Sequence, residues 1–177
     1  PATLTISDGL TYDYGTLAAG GSADKAFTVS NTGGVTATSI NGSGLGTPFS
    51  FKGGSYPGTG GTCATTLAAA GTCTVVVTFA PSVAGPFSDT LDISYNHGVN
   101  AQSVSRDVQG TSVTPASLAI SDGPTYNYGT LPVTGSADKV FTVTNSGSLA
   151  ASSVGGSGLA APFSFKGGSY PGTGGTC

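Results

Sequence analysis

The chain contains no Glu, no Met and no Trp, a single His and three Cys among its 177 residues. Charged side chains make up 7% of it, where about 25% is usual for a soluble domain. Eight Asp face five Lys/Arg, a net charge of −3. Phosphate binding needs clustered cations, whereas Lys25, Lys52, Arg106, Lys139 and Lys166 lie far apart in sequence. No nucleic-acid partner is expected. No apolar run approaches the roughly 18 residues of a membrane helix, so this segment is not expected to insert into a membrane. No basic-then-apolar leader opens it. The expectation is an internal or processed piece of a longer protein, with any signal peptide or anchor elsewhere.

Few residues are left for catalysis. The one His97 sits in Tyr95-Asn96-His97-Gly98, which reads as a turn rather than as a general base with a nucleophile beside it. Asp89 and Asp92 suggest the carboxylate pair of a glycosidase, but three apart on a strand they point to opposite faces. Asp8, Asp13 and Asp24 lack the spacing of a calcium loop. Gly53-Gly54-Ser55 and Gly58-Thr59-Gly60-Gly61 lack the Lys and the following helix of a phosphate loop. Lys25 alternates with Phe27 and Val29, which makes it the candidate for a core-facing Lys–Asp or Lys–Asn crosslink. Asn41-Gly42-Ser43 matches a glycosylation acceptor, relevant in a eukaryotic host alone. The reading is of a protein that is not an enzyme, with no metal and no cofactor.

What the chain does have is turn residues and repetition. Its 30 Gly and 10 Pro separate short runs rich in Val, Thr, Phe and Tyr, too apolar and too poorly charged for disorder. Leu4-Thr5-Ile6-Ser7-Asp8-Gly9 returns as Leu118-Ala119-Ile120-Ser121-Asp122-Gly123, a period of 114 (118 − 4). The register holds without a gap from Pro1/Pro115 to Cys63/Cys177. Of these 63 positions 18 differ, leaving 45 identities (63 − 18). Such self-similarity marks a duplicated folding unit. Pro115 stiffens the short joint, an expectation of repeats stacked end to end.

Period-2 alternation marks strands at Leu4/Ile6, Tyr12/Tyr14, Ala26–Ser30, Ala37–Ser43, Phe49/Phe51, Thr74–Phe79, Phe87–Tyr95 and Val104–Gln109. Asn31-Thr32-Gly33-Gly34 reads as a turn. Leu91, Ile93 and Tyr95 face inward, and Thr90, Asp92 and Ser94 outward. No segment has a helical period. The chain is therefore expected to be all-β, an immunoglobulin-like seven-stranded β-sandwich in tandem repeats of about 114 residues. Residues 1–113 form a complete repeat, and 114–177 the N-terminal half of a second. That half lacks counterparts of Val75, Val77, Phe79, Leu91, Ile93, Tyr95, Val104 and Val108. At about 2 kcal/mol for each buried side chain, their loss outweighs the net stability of about 5–15 kcal/mol of a whole domain. Order in 115–177 is expected to depend on downstream sequence or on strand complementation by a copy of the protein or a neighbouring repeat.

Cys63 and Cys73 have no CxxC spacing and no nearby cation, which disfavours metal binding and redox catalysis. A disulfide is the favoured reading, with free buried thiols as the alternative; a bond implies an oxidising compartment. Cys177 repeats Cys63 with no second Cys after it, an unpaired or inter-chain thiol.

The combination of Tyr14-Gly15-Thr16-Leu17, Phe27-Thr28-Val29-Ser30-Asn31-Thr32-Gly33, Pro48-Phe49-Ser50, the Cys63…Cys73 segment running into Val75-Val76-Val77-Thr78-Phe79-Ala80-Pro81, Gly85-Pro86-Phe87-Ser88-Asp89 and Val108-Gln109-Gly110-Thr111 resembles the hydin-like (ASH-type) Ig-fold repeats. In particular it is similar to the choice-of-anchor D repeats of large secreted bacterial proteins. The resemblance implies a repeating spacer, adhesive or scaffolding module with no catalytic residues to carry over. Its Cys pair favours the secreted bacterial branch.

Pro48–Cys63 recurs letter for letter at Pro162–Cys177. Lys52 and Tyr56, with their repeats Lys166 and Tyr170, form a possible contact loop for a neighbouring subunit or a surface glycan. The expected function is a structural or adhesive tandem-repeat module of an extracellular surface or filament protein. A carbohydrate- or ligand-binding Ig-like module is the alternative.

Overall fold

The computed structural model describes all of residues 1–177, which divide into two compact units, Pro1–Thr114 and Pro115–Cys177. The first unit has eight strands: β1 (Leu4–Ile6), β2 (Thr11–Ala18), β3 (Ala23–Asn31), β4 (Thr38–Ser43), β5 (Phe49–Phe51), β6 (Thr72–Phe79), β7 (Gly85–Asn96) and β8 (Ala101–Val113). They form two four-stranded sheets, ordered β1-β3-β6-β5 and β2-β8-β7-β4. This is the immunoglobulin-like sandwich, with eight strands where seven were expected.

β1 and β2 fall in different sheets through one local event. Asp8 and Gly9 take φ of 71° and 78°, a left-handed conformation that Gly and Asp tolerate best. The chain turns out of the first sheet there and enters the second. β1 is antiparallel to β3, with Leu4 opposite Asn31, whereas β2 runs parallel to β8, with Tyr12 opposite Val108. Two side chains hold the crossing: Lys25 Nζ lies 2.6 Å from Asp8, and Arg106 on β8 donates to the Ile6 carbonyl.

The alternating apolar residues meet between the sheets. Phe27, Val29, Val75, Val77, Phe79, Leu91, Ile93 and Val108 are fully buried, and Phe49 nearly so. Phe49 stacks on Phe79 with centroids 4.8 Å apart, and Tyr14 and Phe87 lean on the same ring. Gly110 lies beneath it: a Cβ there would stand 2.6 Å from a Phe79 ring atom, so no side chain fits at this position of β8. The β7–β8 hairpin pairs twelve residues on each strand, from Gly85↔Ser112 to Asn96↔Ala101.

The second unit has two short strands, β9 (Leu118–Ile120) and β10 (Val143–Asn145). They pair antiparallel with Asn145 opposite Leu118, the register of β1 and β3 displaced by 114. The ring contacts also repeat: Tyr126–Phe141 at 5.7 Å follows Tyr12–Phe27 at 5.5 Å. Most of its large apolar residues, however, are exposed, Ile120, Phe141 and Phe163 among them.

Candidate functional site

The loop from Pro48 to Cys63 is the segment singled out for contact, and its backbone is spent on β6. Where β5 stops, Lys52 N–H donates to the Val76 carbonyl at 2.9 Å and Val76 N–H to the Pro57 carbonyl at 2.8 Å. Further along, Thr62 N–H donates to the Thr74 carbonyl at 2.9 Å. Thr74 N–H donates to the Thr62 hydroxyl, also at 2.9 Å. The loop thus continues the edge that β5 leaves and satisfies backbone groups of β6 that burial would otherwise orphan. A disulfide between Cys63 and Cys73, Cα atoms 4.8 Å apart, pins its end.

The side chains are committed as well. Lys52 Nζ lies 2.7 Å from Asp24 on β3, and Asp24 also accepts from the Thr78 hydroxyl at 2.6 Å. The Lys52 bond, then the Thr78 bond, hold the Asp24 carboxyl below the usual carboxylate range. Both partners are well exposed, so the pair is worth under about 1 kcal/mol. Tyr56 is half-buried, its ring edge-on to Phe51 at 5.7 Å. It covers Gly42 so closely that a Cβ there would lie 2.4 Å from the ring. Its buried hydroxyl has no hydrogen-bond partner, and loss of water pushes the phenol pKa up. Lys166 and Tyr170 repeat this arrangement: Lys166 Nζ is 2.6 Å from Asp138, and Tyr170 packs on Phe165 at 5.6 Å. The Tyr170 phenol is pushed up by lost hydration and then by a hydrogen bond with the Cys177 thiol. Cys177 is a free, exposed cysteine.

The other residues considered for chemistry are dispersed. His97 Nδ1 accepts from Val99 N–H at 3.2 Å within the β7–β8 turn. Asp89 accepts from Gly46 N–H at 2.7 Å and fastens the β4–β5 connection. Asp13 accepts from the Gln109 amide at 2.9 Å, while Asp8 and Asp24 each hold a Lys. No three His, Cys, Asp or Glu side chains gather as a metal ligand set. Lys25 lies at the rim of the sandwich rather than in its core, over the Tyr12 ring at 4.6 Å. Its partner Asp8 is held below the usual range chiefly by the Lys25 bond and then by Ser7. Asp8 is therefore a carboxylate, which an amine does not attack.

Buried polar residues escaped the sequence reading, Asn31 and Arg106 among them. Asn31, read as a turn residue, is buried at the end of β3. Its Oδ1 accepts from Thr3 N–H at 3.2 Å and Gly33 N–H at 3.1 Å. Its Nδ2 donates to the carbonyls of Val35, Leu67 and Ala68 at 2.8, 3.0 and 3.1 Å. Arg106, counted among scattered cations, is buried between the sheets. The missed signal was register: Asn31 continues Phe27 and Val29 at period 2, and Arg106 stands between Val104 and Val108.

The family described as HYDIN/CFA65/VesB-like, Ig-like domain matches residues 6–111, most of the first unit. The chain belongs to this family. Among solved structures, the ASH/PapD-like domain 7 of human CEP192 aligns at 18% identity and a TM-score of 0.47, covering 63% of this chain and 86% of that one. The Vibrio cholerae VesB protease aligns at 18% identity and a TM-score of 0.46, over 61% of this chain and 31% of that one. A Porphyromonas gingivalis W83 protein of unknown function gives 13% identity and 0.47, over 62% and 46%. No curated protein sequence matches. In this hydin-like domain, the disulfide joins the segment after β5 to β6 itself.

Breaking that bond is expected to cost the first unit about 3 kcal/mol, the chain-entropy value for closing a loop of this length. Urea denaturation of the full chain checks it. A Cys63→Ala/Cys73→Ala variant should lose this stability and become insensitive to dithiothreitol, whereas a loss below about 1 kcal/mol would contradict the entropic role.

Proposed function

We propose that this hydin-like chain is a non-catalytic structural and adhesive repeat module of a secreted bacterial surface or filament protein, working outside the cell. One observation carries the reading: the Pro48–Cys63 surface is reproduced verbatim at Pro162–Cys177, with the same Lys–Asp pairing and the same ring packing. A surface reproduced at a fixed period suits contacts that also recur, either with neighbouring repeats or with copies of the same protein. The disulfide supports an oxidising compartment. The polar side chains weighed for catalysis serve turns, ion pairs and crossings, which supports a scaffold over an enzyme. Lys52, Lys166 and the glycine-rich backbone around them are the groups this loop offers to a partner. For a surface glycan, the alternative ligand, recognition would ask for a ring face presented to solvent, and Tyr56 instead turns its ring onto Phe51 and Gly42.

The test uses the source cells. Membrane-impermeant biotinylation of intact cells, followed by non-reducing mass spectrometry, should find the chain labelled with Cys63 and Cys73 oxidised. Electron microscopy of the purified parent protein should show rods with a regular axial repeat. A chain recovered only from the cell interior with both cysteines reduced would overturn the reading.

A further inference from the structure

Where β2 runs beside β8 the ladder slips. Asp13 stands opposite Gln109 and Thr16 opposite Thr111, so Tyr14 and Gly15 together face Gly110. Such a bulge bends a strand and re-aims its side chains, and Gly15 makes the bend at a φ of 75°. Beside it lies an open pocket of about 200 Å³, lined by Asp13, Pro86, Phe87, Gln109, Gly110 and Thr111. All six residues belong to β2, β7 and β8 of the first unit. The Asp13 carboxylate accepts from Gly15 N–H at 2.7 Å and from the Gln109 amide at 2.9 Å, two of its roughly four lone-pair sites. These bonds, Gln109 first, hold Asp13 below the usual carboxylate range, so it is charged at neutral pH. With its NH2 given to Asp13, Gln109 keeps its carbonyl oxygen, and Thr111 adds a hydroxyl. The charges of the chain are also unevenly spread. Lys25, Lys52, Lys139 and Lys166 each lie 2.6–2.8 Å from an Asp. The four Asp left over, Asp13, Asp89, Asp92 and Asp107, all lie on β2, β7 and β8. Buried Arg106 on β8 is their one counter-charge. The net charge of −3 is therefore carried by a single sheet, the one that holds the pocket.

We propose that this pocket binds the ammonium group of one lysine side chain presented by a partner polypeptide. An ammonium has three donors and no acceptor, the complement of a carboxylate, an amide carbonyl and a hydroxyl. The apolar stem lies along Pro86 and Phe87 while the charged head meets Asp13. The volume falls below the roughly 300–1,000 Å³ of a pocket for a whole small ligand and suits a single side chain. Arginine fits less well. Its fork asks for both oxygens of a carboxylate, and each oxygen of Asp13 already accepts an N–H. A sugar ring is also matched less well, because its hydroxyls call for donors and the Gln109 NH2 is given to Asp13. A copy of this chain offers no uncompensated ammonium, since each of its four Lys is neutralised by an Asp. The lysine therefore belongs to a different polypeptide. This site goes beyond the surface-module reading and does not need it, because a measurement in solution detects it whatever the compartment.

The probe is the peptide acetyl-Gly-Gly-Lys-Gly-Gly-amide, titrated at low salt into the isotope-labelled full chain and followed by amide NMR shifts. It should move the amides of Asp13, Phe87, Gln109, Gly110 and Thr111 and leave those of β3 and β6 in place. Acetylating the peptide's lysine removes its charge and should weaken binding at least about tenfold, the worth of a hydrogen bond to a charged group. Asp13→Asn should weaken it by a similar factor. That variant keeps the turn, since Asn127, the counterpart of Asp13, accepts from Gly129 N–H at 2.8 Å. Affinity should also fall as salt is raised. Equal binding of the acetylated peptide, or undiminished binding by the Asp13→Asn chain, would overturn the proposal, as would an arginine peptide that binds as tightly. Butylamine binding as tightly as the peptide would overturn the assignment to a polypeptide. Shifts at the pocket with a panel of monosaccharides, and none with the peptide, would make it a sugar site instead. Binding by this chain but not by the purified parent protein would place the lysine within the parent and remove the partner.

Discussion

Asn31→Ala is expected to destabilise the first unit by about 3–5 kcal/mol, near the top of the range for a single substitution. The amide is worth this much because five backbone groups bond it. Two N–H groups, of Thr3 and Gly33, lose their acceptor and the Val35 carbonyl its donor, while the Leu67 and Ala68 carbonyls lose one of two donors and keep Ala37 N–H and Gly71 N–H. An orphaned buried group costs about 1–3 kcal/mol. Several of the five are only partly buried and regain water, so the total falls short of the sum. Asn31→Asp sharpens the test: it keeps an acceptor for both N–H groups and turns a carboxylate toward three carbonyls, so it should cost at least as much as Ala. Urea denaturation of the full chain, followed by far-ultraviolet circular dichroism since there is no Trp, gives the value. Asn145 supplies the control. Exposed, it bonds Ser117, Gly147 and Leu149, so Asn145→Ala should move the first unit by less than about 0.5 kcal/mol. A loss at Asn31 of under 1 kcal/mol would remove it from the set of structural residues.

The other large effect is expected at Phe79. Its ring has no exposure and sits at the junction of Phe49, Tyr14 and Phe87, with centroids at 4.8, 5.5 and 6.1 Å. Phe79→Ala removes the transfer energy of the ring and leaves a cavity, together about 3–5 kcal/mol. The cavity does not collapse easily, because Gly110, with no side chain to move in, forms its floor. Phe79→Leu should recover more than half of the loss. A double variant that adds Gly110→Ala to Phe79→Ala should be no less stable than Phe79→Ala alone, whereas Gly110→Ala by itself should cost about 1–3 kcal/mol by overpacking. That opposite response in two backgrounds is the measurement that identifies the contact.

The strands were legible because alternation is a property of single segments. Val75, Val77 and Phe79 declare one face, and Leu91, Ile93 and Tyr95 another, without knowledge of what lies opposite. Three features were not local in that sense. The passage of the chain from one sheet to the other depends on a left-handed step at Asp8 and Gly9 and on two cations reaching it from β3 and β8. The burial of Asn31 follows from carbonyls 36 and 37 residues away, and from sequence alone a polar letter at an inward position reads as the end of the strand. Tyr56 reads as available because a glycine-rich stretch reads as loose. The structure ties that stretch to β6 and lays Tyr56 onto Gly42, a contact that needs the absence of a side chain on another strand.

The parallel pairing of β2 with β8 has a mechanical consequence. In the first unit the strand near the start and the strand at the end run the same way, side by side, from Thr11↔Asp107 to Ala18↔Val113. Tension drawn across the unit from its two termini pulls these strands in opposite senses along their common axis. The ladder between them is then loaded in shear, with its bonds strained together instead of being unzipped singly. Resistance to such pulling is set by the unfolding rate rather than by equilibrium stability, so the shear geometry of this ladder and the thermodynamic stability of the unit are separate properties.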